Sequence, residues 1–180
     1  MSVFLIALII VFGASIIWST ITSGISPMPS SKIARKKMTQ LVNETGTGPV
    51  FDLGSGWGHL VVPLALKYPQ RKIVGYELSV VPWLTVILIK KILGLRNLSL
   101  YRENFLQADL SQASVLVCYL YPDAMDAISK KLTLEENNTQ FLISNNFALA
   151  SRQPEKTVQL DDFYQSPIYL YRINYIRATT

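Results

Sequence analysis

Two kinds of hydrophobic pattern divide the chain. From Val3 to Ile25 the sequence VFLIALIIVFGASIIWSTITSGI is apolar or weakly polar throughout, and no charged residue occurs from Ser2 to Ser31. At about 1.5 Å per residue, roughly 20 such residues cross a hydrocarbon core. Residues 1–25 are therefore predicted to form one transmembrane helix, with Trp18 near its far end, where an indole suits the interface. A cleaved signal peptide fits less well, because a basic leader is absent and the apolar run is long for one. ISPMPSS, residues 25–31, breaks that helix. KIARKKMTQLV then places Ile33, Ala34, Met38, Leu41 and Val42 on one helical face, with the basic residues mostly opposite. Such a helix packs on a domain through one face and meets anionic lipid heads with the other. Residues 26–44 are read as this linker and helix.

From residue 45 onward short apolar runs alternate with helical patterns. GPVFDLG, RKIVGYEL, NLSLYREN, SVLVCYLYP and TQFLISNNF read as strands. GHLVVPLALKYP, VPWLTVILIKKILG and DAMDAISKKL read as helices, with Pro63 tolerable only near a helix start and Gly94 as a stop. TVQLDDFY and PIYLYRINYI read as a closing hairpin. This alternation predicts an α/β domain over residues 45–180, built on a mostly parallel sheet with helices on both faces and an antiparallel end. The fourth strand is too apolar to lie at an edge.

Composition narrows the chemistry. The 180 residues fit one ordinary domain plus an appendage. One cysteine, Cys118, excludes an intramolecular disulfide and a multi-cysteine metal site, and one histidine, His59, argues against a His-rich zinc site and a Ser-His-Asp triad with a spare base. No metal is expected. The pair Asp161 and Asp162 reads as a solvated strand end, since no further ligands cluster with it. A net charge of +5 with few charges and no basic patch concentrated in the domain argues against a nucleic-acid partner. Lys32, Arg35, Lys36 and Lys37, directly after the apolar run, put the C-terminal part on the cytoplasmic side of the membrane.

The candidate chemistry lies in FDLGSGWGHL, residues 51–60. Gly54, Gly56 and Gly58 follow a strand ending near Asp52, and this first strand-to-helix turn falls at the sheet edge where open α/β folds bind ligands. Glycine lets the backbone approach a ligand closely, and the helix start offers free N–H groups. The spacing is not the dinucleotide fingerprint, because the third glycine comes one residue early and His59 holds its place. A phosphate-binding P-loop is excluded too, since no Gly-Lys-Ser/Thr follows. Glu77 ends the second strand in VGYEL, where a carboxylate can accept from both hydroxyls of a ribose.

An acidic residue, G-x-G-x-G and a second acidic strand end together resemble the class I S-adenosylmethionine-dependent methyltransferases, over about residues 45–180. The resemblance implies a Rossmann-like, seven-stranded sheet and S-adenosyl-L-methionine as cofactor. It implies that Asp52, Gly54 and Gly56 line the methionine end, with Ser55 and Gly58 also binding the cofactor, Glu77 the ribose and Leu78 the adenine. Asn104 takes the position that faces the adenine amine. PMPSS, DLGSGWGH and VGYELSVVPW are further similar to the membrane-anchored protein-lysine methyltransferases of mitochondria, the ATP synthase c-subunit lysine methyltransferase family, and the chain looks like a bacterial relative. Trp57 replaces an acidic residue of that family's glycine motif, and the segment from Glu77 to Trp83 is two residues longer. The implied activity is methyl transfer to a protein lysine, on a single-pass protein of the cytoplasmic membrane with its catalytic domain in the cytoplasm. A lipid, quinone or other small acceptor, or a cofactor-binding module without turnover, remains open.

The fourth strand exits through CYLYPD, beside the position of the reactive methyl group in that fold. Tyr119 and Tyr121 are candidates for an aromatic wall around an amine, and Asp123 for a proton acceptor. Either tyrosine can instead be an ordinary core aromatic. Trp57 and Trp83 can be packing residues, His59 a plain helix-start residue and Cys118 a small buried hydrophobe.

Overall fold

The computed structural model describes residues 31–173. The predicted transmembrane helix, residues 1–25, lies outside the described residues, as do residues 174–180 at the end of the domain. Among the described residues no helix is long and apolar enough to cross a membrane.

A seven-stranded sheet organises the chain: β1 (Val50–Leu53), β2 (Ile73–Tyr76), β3 (Leu98–Tyr101), β4 (Val115–Cys118), β5 (Phe141–Asn145), β6 (Lys156–Gln159) and β7 (Pro167–Arg172). Their spatial order is β3-β2-β1-β4-β5-β7-β6. The first five in that order pair in parallel, while β7 runs antiparallel to both β5 and β6. Every residue of β1, β2, β4 and β5 is buried, which is why these strands read as unbroken apolar runs rather than as alternating ones. The chain order reverses between β1 and β4, so their carboxyl ends flank the crevice that open α/β sheets use for ligands.

Helices α1 (Lys32–Val42), α2 (Val61–Lys67) and α3 (Val80–Leu93) share one core layer with Val50, Ile73, Leu98, Val115 and Ile143. On the other face α4 (Pro122–Leu134) and the segment around Ala108–Ala113 pack with Phe51, Val74, Leu116 and Leu142. Ser31 caps α1 by accepting from the Ala34 N–H at 3.0 Å. Pro63 is the third residue of α2, where its missing N–H has no helical acceptor to lose. Gly94 ends α3 in the left-handed region at φ 62°, its N–H turned back to the Lys90 and Lys91 carbonyls.

Two details depart from the sequence reading. On α1 the buried residues are Ala34, Met38, Thr39, Leu41 and Val42, whereas Ile33 is largely exposed. Thr39 takes its place because its hydroxyl donates to the Arg35 carbonyl at 2.7 Å and hides its polarity within the helix. In the closing hairpin, LDDFY is a turn rather than strand. The Asp162 carboxylate accepts from the Ser166 N–H at 2.8 Å, and Gln165 stands at φ 48°. That turn presents Phe163 and Tyr164, 94% and 83% exposed, in edge-to-face contact with each other.

Candidate functional site

The sheet register brings the sequence candidates to one edge. Leu53 pairs with Tyr76 on one side and with Cys118 on the other, and Cys118 pairs with Ser144. The next residue of each strand is therefore Gly54, Glu77, Tyr119 and Asn145, four adjacent strand exits. β7 begins opposite the end of β5, with Asn145 paired to Ile168, so the Phe163–Tyr164 turn belongs to the same edge.

The glycine loop is folded by need rather than by default. Gly54, Gly56 and Gly58 all have positive φ, 81°, 52° and 79°. At Gly58 a Cβ would stand 2.9 Å from a Val86 methyl carbon, so the loop sits directly against α3. At Gly56 nothing lies within 4 Å of such an atom, and the backbone there faces open space. Leu120, just past β4, comes within 3.6 Å of the Cβ position of Gly54, which fixes the loop beside the β4 exit.

Glu77 latches this loop. One carboxylate oxygen accepts from the Gly56 N–H at 2.9 Å, and the other accepts from the Ser79 N–H at 2.7 Å. Each oxygen keeps a second lone pair. Beneath the loop, Asp52 is buried opposite Gly75 on β2. The missing side chain of Gly75 makes room for Ser55, whose hydroxyl lies 3.0 Å from where a Gly75 Cβ would be. Asp52 Oδ2 and Ser55 Oγ are both buried and have no hydrogen-bond partner within the protein. Burial, and secondarily the charge of Glu77, raise the Asp52 carboxyl from its ordinary value to about 7. Two unsatisfied polar groups under a glycine loop are costly unless a ligand completes them.

The remaining candidates are placed as follows. Leu78 is exposed at the edge. Asn104 follows β3, and its side-chain oxygen accepts from the Leu106 N–H at 3.0 Å, holding a turn. Tyr119 stacks on Phe147 with centroids 6.2 Å apart, and its hydroxyl accepts from the Asn146 side-chain amide at 3.2 Å. Tyr121 is half-buried at the start of α4, packed against the second core layer, and Asp123 is exposed in the first turn of that helix. His59 is exposed, and its pKa is lowered by partial burial and then by Arg35. Burial pushes the Cys118 thiol up to about 12, as suits a small core residue. Among the described residues no group of His, Cys, Asp and Glu could hold a metal ion.

Asn146, Phe147 and Leu120 were not singled out in the sequence. Asn146 has a positive φ of 66°, unusual outside glycine and frequent where backbone strain serves a site. The doubled asparagine of SNNF at a strand end was the available signal.

The ANTKMT methyltransferase domain matches residues 52–156 of the chain. A protein named protein-lysine N-methyltransferase from Saccharolobus islandicus (strain REY15A) is 23% identical over 150 residues, covering 81% of this chain and 92% of its own. Among solved structures, an RNA methyltransferase from Salinibacter ruber in complex with S-adenosyl-L-homocysteine superposes with a TM-score of 0.73. It is 23% identical and covers 85% of this chain and 98% of that one. The M. capricolum TrmK structure, also with S-adenosyl-homocysteine, gives a TM-score of 0.62 at 10% identity, covering 80% and 69%. Both structures share the fold. The unsatisfied Asp52 and Ser55 oxygens, the open backbone at Gly56 and the free lone pairs of Glu77 fit an amino-acid and nucleoside ligand such as S-adenosylmethionine.

Proposed function

The chain belongs to the ANTKMT methyltransferase-domain family of S-adenosylmethionine-dependent enzymes, and from that premise we propose that it methylates a protein lysine at a membrane surface. When bound, the cofactor supplies an electrophilic methyl group that passes in line to a nucleophile. Asp52, Ser55 and the glycine loop would hold its amino-acid end, with Glu77 at the ribose, Leu78 at the adenine and Asn104 at the adenine amine.

The observation that carries the lysine reading is the aromatic wall across the crevice from the glycine loop, Tyr119 stacked on Phe147. Aromatic faces accept an ammonium and its alkyl stem alike. The relative from Saccharolobus islandicus bears the name of a protein-lysine enzyme and supports the same acceptor. A lysine amine must shed a proton before it attacks, its reference pKa being about 10.4. Desolvation against the wall favours the neutral amine. The Asn146 amide donates to the Tyr119 hydroxyl at 3.2 Å and ties the ring to the exit of β5. Tyr121, half-buried at the start of α4, is assigned to the same wall, and Asp123, exposed in the first turn, is assigned to take the proton through water to solvent. The Asp123→Asn variant is expected to lose about tenfold in kcat, with cofactor affinity unchanged. A wild-type rate in both Asp123→Asn and Tyr121→Phe would remove these two residues from the mechanism. The exposed turn gives a second handle on the acceptor: replacing Phe163 and Tyr164 together with Ser is expected to raise KM for a protein substrate about tenfold, with kcat little changed.

Membrane anchoring rests on the uncharged stretch from Ser2 to Ser31, followed at once by Lys32, Arg35, Lys36 and Lys37. An anchored enzyme meets membrane-borne targets at high effective concentration. The same exposed aromatic turn favours, as a second reading, an apolar acceptor such as a lipid or quinone. Methyl-labelled cofactor, the full chain and host membranes distinguish the readings. Label in a protein band, acid-stable and mapped to lysine, supports the first. Label in the lipid fraction supports the second. Cofactor binding with no label in either fraction means a binding module without turnover.

A further inference from the structure

The face formed by α1, α2 and α3 is chemically unlike the rest of the surface. These three helices carry Lys32, Arg35, Lys36, Lys37, Lys67, Lys90 and Lys91 and not one acidic residue. The Asp and Glu residues fall outside these three helices, and Glu44, just after α1, is paired with Lys156. The same face exposes large aliphatic side chains. Leu84, Leu88 and Ile92 recur every four residues along α3, 51%, 58% and 73% exposed, with Ile33 on α1 and Leu66 on α2 also exposed. A groove of about 630 Å³ runs between the three helices, bordered by Arg35, Trp57, Pro63, Thr85 and Ile89.

We propose that this face rests on an anionic phospholipid surface, with the α3 stripe seated among the upper acyl chains and the lysines at the headgroups. Aliphatic side chains ringed by lysine and free of acidic residues are the pattern of an interfacial helix, whose long basic side chains reach outward to phosphate. A nucleic acid would call for aromatic or polar contacts between the basic residues, not leucine and isoleucine. The proposal rests on the anchoring described above for its proximity to lipid. Ser31, the cap of α1, is the last of the run without a charged residue, so the basic face begins where that run ends.

The orientation has a consequence for the acceptor. Helix α3 starts at Val80, three residues after Glu77, and packs along β3. With α3 flat on the bilayer, the strands lie along the membrane plane and the carboxyl edge opens sideways at headgroup level. The substrate lysine then belongs to a membrane protein, at the interface rather than on a distant soluble domain.

The full chain carrying Leu88→Cys, labelled with an environment-sensitive fluorophore, is reconstituted into phosphatidylcholine/phosphatidylglycerol vesicles with and without nitroxide-bearing lipids. Cys118 is fully buried and does not compete for label. A Gln153→Cys chain, labelled at an exposed position off this face, is the control. The expected result is strong quenching by lipid nitroxides and protection from iodide at position 88 but not at 153. The quenching should weaken in Lys90→Glu/Lys91→Glu chains or in phosphatidylcholine alone. Flotation with vesicles but an iodide-accessible, unquenched label at 88 overturns this inference and leaves the anchor standing. No flotation overturns both. Protection at 88 without lipid quenching means that protein, or RNA if nuclease removes it, covers the stripe, and the lipid assignment falls.

Discussion

Replacing Glu77 with alanine is expected to lower the affinity for S-adenosylhomocysteine by at least about 100-fold while leaving the domain folded. The carboxylate is not only a candidate ribose ligand. It already holds the glycine loop, accepting from Gly56 at 2.9 Å and from the start of α3 at Ser79 at 2.7 Å. Hydrogen bonds to a charged group contribute about 1.5–3 kcal/mol each, and both stand at the proposed cofactor site. Without them Gly56, whose Cβ position meets nothing within 4 Å, is free to leave its positive φ, and the preformed cradle must be rebuilt at the expense of binding. Glu77→Gln keeps the shape but turns an amide NH₂ toward one backbone donor, so a loss of about tenfold is expected. Calorimetry with S-adenosylhomocysteine, together with circular dichroism of each variant, measures this. A folded Glu77→Ala protein that binds like wild type would mean that the latch is structural ornament and that the ligand sits elsewhere.

The legible part of the molecule was what period and punctuation encode. β1, β2, β4 and β5 announced themselves because burial on both faces leaves no polar position to blur the run. Gly94 marked the end of α3 because only a left-handed residue could turn its N–H back. The glycine loop and its partner were legible because three closely spaced glycines after a strand and Glu77 after the next are joined by a hydrogen bond. The acceptor side was not. Tyr119 owes its environment to Asn146 and Phe147, which follow β5 and are brought beside it by the β4–β5 pairing. The turn at Phe163 and Tyr164 read as strand because its apolar residues satisfy the strand pattern locally, while the Asp162 side chain, four residues before Ser166, decides otherwise. The basic face joins the run Lys32–Lys37 of α1 to Lys67, Lys90 and Lys91 of two other helices, a meeting that only the fold brings about.

Asp52 predicts a pH dependence whose sign is opposite to that of most carboxylates. Its pKa is raised from 3.8 to about 7, first by burial and then by the charge of Glu77. The folded apo protein therefore holds a proton that the unfolded chain gives up. The associated stability is fully present below pH ~4 and is lost as the pH rises through ~7, to an upper bound of about 4 kcal/mol. Asp52→Asn should flatten the stability profile between these limits and raise the apo melting temperature at pH 8. The other buried neighbour, Cys118, stays neutral across this range because its thiol is pushed up to about 12. Binding runs the other way. The family resemblance sets the methionine end of the cofactor at Asp52, and S-adenosylmethionine carries an ammonium and a sulfonium there, which favour the ionised carboxylate. By reciprocity, its affinity is expected to rise by up to about tenfold between pH 6 and 8, with a proton released on binding at pH 6. S-adenosylhomocysteine, lacking the sulfonium charge, should show a weaker slope, and Asp52→Asn should show none. Calorimetry in buffers of different ionisation enthalpy reads the proton directly. Equal slopes for the two ligands would mean that Asp52 answers to the amino group alone, and a flat wild-type profile would mean that the carboxyl is already ionised or stays protonated when the ligand is bound.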